Sequence, residues 1–186
     1  MKKNNIKVIF LLILFLFSCN NKQNIKEVQF NISQDLIAKD LVFKNNYFSF
    51  NPPKLSIKFD NKNDSIFKAS ISNDNSLLNE SFIQGYTFLN SGIIITELID
   101  HEIPSNYIEL LKNHYNTNFV ESDFFLYNDI EFHQYILRNN SINSIILFLN
   151  FNKIFRIQFL SNSEEYHQMI RSIESSIGTI KRKDST

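Results

Sequence analysis

The sequence predicts an α+β fold in which an antiparallel β-sheet carries helices on its faces. The first observation is a series of four strand-length apolar segments within 119–160, separated by links of one to three residues that are rich in asparagine. The second is a pair of segments, 104–117 and 163–178, whose apolar residues recur at helical spacing. The third is size, because 186 residues with 43% hydrophobic content suit one domain with a packed core.

The first part of the chain gives weaker signals. Residues 25–46 do not predict a single structure, although a short helix over 35–42 with Ser33 as its N-cap is one interpretation. A strand is predicted at 47–50, and Pro52 follows it as a stop signal. Alternation and composition then predict, in order, a half-buried strand at 55–59, a turn at 60–64 and a short strand at 66–71.

The middle of the chain predicts a strand pair followed by a helix. Residues 82–89 and 93–99 have the composition of strands and are joined by a short link. Gly92 lies in this link and can take the positive φ that such a turn often needs. Pro104 suits the first turn of the helix predicted at 104–117.

The last third predicts a meander of four strands and a closing helix. The expected strands are 119–127, 130–138, 142–151 and 153–160. In the helix, Tyr166, Met169 and Ile173 share one face. Ser163 is expected to cap the start of this helix and Gly178 to end it.

Composition excludes several classes of function. Nineteen basic and 19 acidic residues give a formal net charge of zero, which argues against a generally basic nucleic-acid-binding surface. The three glycines are too dispersed to form a phosphate-binding loop. A single cysteine excludes a disulfide framework and a cysteine-rich zinc site.

The N-terminal segment has the features of a secretory signal. Three lysines and no acidic residue lie in 1–18, and residues 8–17 form ten consecutive apolar positions. This run is half of the roughly 20 residues that a membrane-spanning helix needs. The segment ends in Leu16-Phe17-Ser18-Cys19, which resembles the lipobox of bacterial lipoproteins. The other interpretation is a short N-terminal membrane anchor with an incidental cysteine.

The lipobox resemblance implies a lipid anchor on the bacterial cell envelope. It implies that Cys19 carries a diacylglycerol, that the signal peptide is cleaved before it, and that the new amino group is often acylated as well. Asn20, and the absence of an acidic cluster beside the cysteine, point to the periplasm-facing side of an outer membrane. Cleavage leaves 16 basic and 19 acidic residues, a net charge of −3, so we expect no electrostatic attraction to anionic lipid. The expected divisions are a signal peptide at 1–18, a tether and irregular segment at 19–46, the α+β domain at 47–180 and a polar tail at 181–186.

The globular part also resembles a known family. Phe48-Ser49-Phe50-Asn51-Pro52-Pro53 is similar to the opening strand of the PsbP-like family. The order of strand pair, helix, four-strand meander and closing helix over 47–180 is similar to its α/β/α sandwich. The resemblance implies an antiparallel sheet between helices, and a role in binding or assembly, since the plant members assist a membrane photosystem. It implies no catalytic motif.

Few residues are candidates for chemistry. Asp100, His101 and Glu102 lie at a predicted strand–helix junction, where carboxylates and an imidazole could bind a metal or move protons. Successive residues of an extended chain point to opposite sides, so a solvated loop is the other interpretation. His133 is a further candidate, on the same strand face as Glu131 and Tyr135.

Two functions remain open at this stage. The first is a non-enzymatic lipoprotein that contacts the membrane through its lipid and binds an envelope protein or small ligand, with no cofactor, metal or nucleic acid. The alternative is a small metal-dependent or hydrolytic enzyme that uses Asp100, His101 and Glu102 with His133. The enzyme requires these side chains to converge in space.

Overall fold

The computed structural model describes residues 25–71 and 77–183. Its strands are β1 (Lys26–Glu27), β2 (Phe43–Lys44), β3 (Phe48–Phe50), β4 (Ile57–Lys58), β5 (Glu80–Phe88), β6 (Ser91–Leu98), β7 (Phe119–Tyr127), β8 (Ile130–Arg138), β9 (Ile142–Asn150), β10 (Ile154–Asn162) and β11 (Lys181–Arg182). Its helices are α1 (Asn61–Ile71), α2 (Tyr107–Tyr115) and α3 (Tyr166–Ile177). The prediction of an α+β fold with a large sheet and few helices is confirmed.

The main sheet contains eight of these strands in the order β1-β7-β8-β9-β10-β6-β5-β4. The meander β7–β10 and the hairpin β5–β6 form as predicted and join through the antiparallel pair β6–β10. The edge strand β1 runs parallel to β7, whereas the other pairs in this sheet are antiparallel. A small sheet, β11-β3-β2, is separate from it.

The two faces of the main sheet have separate cores. Phe155, Ile157 and Phe159 alternate along β10 and face the first core, where they pack with α3 and with the small sheet. On the neighbouring strand β9, Ile146 and Phe148 point to the opposite side of the sheet and face the second core, beneath α2. Helices therefore pack on both faces of the sheet, because adjacent side chains on a strand point to opposite sides.

Residues 25–42, the described segment before β2, contain no helix. Instead of the helix considered for 35–42, Ile37 forms an isolated antiparallel bridge with Pro53, and the Ala38 amide donates to the Pro52 carbonyl at 2.9 Å. The Ser33 amide donates to the Ser175 hydroxyl at 3.2 Å, which fixes the segment to α3. Long-range contacts of this kind override weak local helix preference.

Helix α1 replaces the turn and strand predicted over 60–71. The Asp60 carboxylate accepts from the Asn63 amide at 2.8 Å, and the Asp60 carbonyl accepts from the Asp64 amide at 2.9 Å. Asp60 thus caps the helix, which is a common role for an aspartate that local composition alone would place in a turn. The preceding strand is also shorter than predicted, and Ile57 is exposed rather than half-buried.

Two of the three expected turn and cap roles are wrong, and the third is confirmed. Gly92 lies inside β6 without a positive φ, and Leu89 takes a φ of 50° in the turn instead. The Ser163 hydroxyl donates to the Asn139 carbonyl rather than capping α3. Gly178 ends α3 as predicted, with a φ of −61°. A larger residue does not fit at this position, because Phe30 and Ile32 lie against the glycine.

The chain after α3 continues into a strand at residue 181, where the sequence predicts that a polar tail begins. Lys181 pairs with Ser49 and Arg182 pairs with Phe48, so the segment closes the small sheet. Both side chains remain exposed. Backbone pairing, which leaves side-chain polarity unchanged, explains why the polar composition gave no strand signal.

Candidate functional site

The loop after β6 holds the three residues predicted as a chemical cluster. Asp100, His101 and Glu102 are all exposed, and His101 bends the chain with a φ of 55°. The Asn79 side-chain amide donates to the Asp100 carboxylate at 2.9 Å, which ties the loop to the start of β5. Within 25–71 and 77–183, no three His, Cys, Asp or Glu side chains come together to hold a metal ion.

His133 lies elsewhere, on the second face of the sheet. Its ring is half-buried between Phe124 and Tyr135, with ring centroids at 5.5 Å and 4.4 Å, and its Nδ1 is 3.3 Å from the Tyr135 hydroxyl. Burial lowers the pKa of His133, because the charged imidazolium loses hydration. Burial also raises the pKa of Tyr135 to about 12. This histidine is therefore an aromatic-packed neutral side chain at neutral pH.

The structure does not bring His133 to the 100–102 loop. The loop follows β6, and β9 and β10 separate β6 from β8. Three strand spacings amount to about 14 Å between the two backbones. Metal ligands lie about 2 Å from a shared ion, so these residues do not form one metal centre in this arrangement.

A buried polar network lies beneath α2, and the sequence did not predict it. The Arg156 guanidinium donates to Glu80 Oε1 at 2.5 Å and to Gln158 Oε1 at 2.9 Å. The Thr96 hydroxyl donates to Glu80 Oε2 at 2.5 Å and accepts from Arg156 Nε at 3.3 Å. The Arg156 and Glu80 side chains are only 11% and 5% exposed.

The network continues from the sheet to the helix that covers it. The Gln158 side-chain amide donates to the Tyr115 hydroxyl and to the Ser144 hydroxyl, both at 3.1 Å. The Tyr107 hydroxyl is buried beside it, near the Arg156 guanidinium, and no hydrogen bond of ordinary geometry reaches it. Burial raises the pKa of Tyr107 far above its ordinary value, and the nearby Arg156 charge only partly opposes this. One hydrogen bond of this network, from Gln158 to Tyr115, therefore reaches α2, and the charged groups of Arg156 and Glu80 are paired with each other.

Shallow grooves border the segment that precedes β2. One groove of about 440 Å³ lies between residues 28–33 and α3, where Arg171 and Glu174 line it. Two others, of about 350 Å³ and 380 Å³, share Gln34, Ile37 and Lys39. The volumes of these grooves are similar to those of small-molecule binding sites. Small-molecule sites, however, are more often enclosed and apolar than these grooves are.

The predicted lipid attachment residue, Cys19, lies outside the described residues. In the described part of the chain, no helix has the length and hydrophobicity required to span a bilayer. The anchor prediction therefore rests on the sequence alone.

Comparisons with known proteins give little further information. No family model matches the chain, and no curated protein matches it. Among solved structures, it is similar to the solution structure of cyanobacterial PsbP (CyanoP) from Synechocystis sp. PCC 6803. The two are 9% identical, with a TM-score of 0.44, over 89% of this chain and 97% of that one. Similarity this low says nothing about what the chain binds or does.

Proposed function

We propose that this chain is a lipid-anchored protein of a bacterial cell envelope, and that its folded part binds a partner or helps assemble an envelope complex. The observation that carries the proposal is the position of the only cysteine. Cys19 follows a basic and then apolar segment, at the place where a lipobox requires it. Two or three acyl chains on one residue would give stable membrane attachment.

The folded part is, in this proposal, a PsbP-like α/β/α sandwich. The order of elements supports it: β3 runs into Pro52 and Pro53, β4 and α1 follow, and then come a hairpin, a helix, a meander and a closing helix. Packing of α2 and α3 on opposite faces of the sheet is the layering that such a sandwich requires. The PsbP-like proteins that the sequence resembles use this fold mainly for binding and assembly, although a fold alone does not determine function.

A binding role also agrees with how the buried charges are used. Arg156 and Glu80 bond to each other and to polar side chains on neighbouring strands, and Gln158 extends this network to Tyr115 of α2. Nothing in the described residues favours the alternative enzyme that would use Asp100, His101 and Glu102. We therefore take the folded part to be a non-enzymatic module.

Metabolic labelling tests the anchor. The wild-type chain, expressed in its native envelope with radioactive palmitate, should incorporate label and fractionate with membrane. Cys19→Ser should incorporate none and accumulate uncleaved. Ser18→Ala is the matched control, because it keeps a small residue before the cysteine and should still be labelled. A Cys19→Ser chain that is cleaved normally, or a wild-type chain without label, contradicts the lipoprotein assignment.

Crosslinking in the intact envelope tests the binding role. A cleavable crosslinker, followed by purification of the wild-type chain, should recover the same envelope protein in repeated preparations. Density fractionation and protease protection in whole cells should place the chain on the periplasm-facing side of the outer membrane. Purification that yields only the chain itself, at crosslinker levels that trap a known envelope complex, contradicts a role in assembly.

A further inference from the structure

We infer that one end of the main sheet lies against the lipid bilayer. The inference rests on the lipid anchor proposed above, and it adds the surface that meets the membrane. We call this surface the apolar end and define it by Leu55, Leu89, Phe119 and Ile142. These are four of the nine exposed large hydrophobic residues in the described chain, with exposed fractions of 67%, 67%, 40% and 37%.

The strand register places these four residues at the same end of the sheet. Phe119 begins β7 and Ile142 begins β9, and the β8 strand that joins them ends at Arg138, the partner of Phe119. Leu89 forms the turn between β5 and β6, next to Phe88. Leu55 lies two residues before Ile57, whose partner Thr87 is two residues before Leu89, so both leucines extend beyond the same end.

Two of these residues are held in an unfavourable backbone conformation. Leu55 has a φ of 67° and Leu89 a φ of 50°. This region is rare for bulky side chains and is easier for asparagine or aspartate. The other non-glycine residues at positive φ in the described chain are His101, Asn116, Asn128 and Asp129, whose residue types adopt this region more readily. A leucine that is both strained and exposed is consistent with a side chain required for contact with another surface.

The described chain enters the sheet from the direction of this end. Because β1 is parallel to β7, the chain before Lys26 starts on the side of the sheet where β7 begins. Lys26 is opposite Phe125, and seven positions separate Cys19 from Lys26, just as seven separate Asn118 from Phe125. At about 3.3 Å per residue, seven residues span at most roughly 23 Å, so the chain is long enough for Cys19 to reach the level of Asn118, one residue before Phe119.

The opposite end of the sheet is different in charge. There the turns and loop at 128–129, 151–153 and 99–102 each contain charged side chains, among them Asp129, Lys153 and Asp100. At the apolar end, the turns 89–90 and 139–141 carry no charge. The 162–165 connection at the same end adds Glu164 and Glu165, and the Glu165 carboxylate accepts a hydrogen bond from the Asn90 side-chain amide at 2.6 Å. The only basic group over Phe119 is Arg138, whose guanidinium lies 5.1 Å from the ring in the described structure.

These features fit the interface of a bilayer better than another protein. Exposed leucine and phenylalanine side chains gain free energy in the acyl boundary, and a long arginine side chain keeps its charge at the headgroups. Attraction to anionic lipid is not required, and with a net charge of −3 after cleavage it is not expected. The lipid on Cys19 supplies attachment, and the apolar end sets the orientation.

Quenching by labelled lipid tests the orientation. Lipid occupies Cys19 in the anchored chain, so one introduced cysteine is the only free thiol. Leu89→Cys and Ile142→Cys report on the apolar end, and Ile99→Cys, which replaces another exposed apolar residue, reports on the opposite end. Each lipidated variant is labelled with an environment-sensitive fluorophore and reconstituted into phosphatidylethanolamine vesicles that contain doxyl-labelled phosphatidylcholine.

We expect quenching at positions 89 and 142 to exceed that at 99 by about twofold or more, because only apolar side chains at the interface approach the acyl region. Equal quenching, or stronger quenching at 99, overturns the orientation even when the chain carries palmitate and pellets with vesicles. The inference is also overturned if a protein, rather than lipid, covers the apolar end in the cell. If the chain carries no palmitate and does not pellet, the proposed anchor has failed, and the orientation fails with it.

Discussion

The two faces of the main sheet are covered by helices in different ways. On the first face, α3 contributes Met169, Ile173 and Ile177 to an apolar core that it shares with the strands and the small sheet. On the second face, α2 buries only Tyr107 and Leu111 completely and lies over the Arg156–Glu80 network. Apolar packing therefore holds α3. In contrast, α2 buries fewer apolar side chains and also receives a hydrogen bond from the network, from Gln158 to Tyr115.

This difference affects what each face contributes. Apolar burial is non-directional and stabilises α3 in proportion to the area removed from water. A buried ion pair contributes little net stability, because desolvation offsets the attraction, but it costs several kcal/mol to break. We therefore expect mutations on the first face to cause losses that cannot be recovered, and mutations in the network to be recovered when both charges are removed.

The largest expected effect comes from the first face. Phe155→Ala should lower the free energy of unfolding by about 4 kcal/mol, because it leaves a cavity among well-packed aromatic rings. Phe155 is 1% exposed and its ring lies 5.4 Å from that of Phe48. Urea denaturation followed by circular dichroism measures the change. Phe119→Ala, at a 40% exposed position, is the matched control and should cost less than about 1 kcal/mol.

The second prediction breaks the network in one step and restores it in another. Arg156→Met should lower the free energy of unfolding by about 3 kcal/mol, because it leaves the Glu80 carboxylate buried without its charged partner. The double variant with Glu80→Leu should recover most of this loss. The same denaturation measurement, arranged as a double-mutant cycle, gives the coupling. Additive losses in the double variant would show that the two faces respond alike.

The third prediction concerns pH and involves the edge of the second core. Burial lowers the pKa of His133 in the folded chain from its ordinary value of 6.5. As the pH falls to that value and below it, this histidine therefore binds a proton more readily in the unfolded chain than in the folded one. The stability associated with neutral His133 should be complete above that pH and should decline as the pH falls below it. Unfolding measured between pH 7.5 and 5 should show a smaller decline for His133→Gln. His101→Gln, at an exposed position, should retain the wild-type decline.

The smallest effect is expected at Tyr107. Tyr107→Phe removes a buried hydroxyl that no hydrogen bond of ordinary geometry reaches and should leave the free energy of unfolding unchanged or raise it by up to about 1 kcal/mol. Thermal unfolding is sufficient to detect this sign. A loss greater than about 1 kcal/mol would show that the hydroxyl belongs to the network, and the contrast between the faces would then be larger.

The meander could be predicted from the sequence because two local signals agree there. Alternation along Phe155, Ile157 and Phe159 fixes the strand, and short asparagine links fix antiparallel connections. Helix α1 could not be predicted in the same way, because Asp60 is equally suited to a turn and to an N-cap. Only the conformation of the following residues decides between them.

The polar network could not be predicted from spacing. Arg156 and Gln158 alternate with apolar residues, a pattern that fits a strand with one solvated face. They are buried because α2 covers that face, and Glu80 reaches Arg156 from 76 residues earlier in the chain. One available signal was that two amphipathic helices needed two apolar surfaces, which implies that both faces of the sheet are covered.

The parallel pairing of β1 with β7 has a mechanical consequence. A pull on Ile25 along the strand direction loads the β1–β7 hydrogen bonds and the following 3.1 Å bond from the Val28 amide to the Leu126 carbonyl together. Bonds loaded together resist shear, whereas bonds loaded one after another peel apart. Behind this strand, Phe30 and Ile32 are seated against Gly178. Tension on the N-terminus would thus be borne by the sheet and α3 rather than by a single loop.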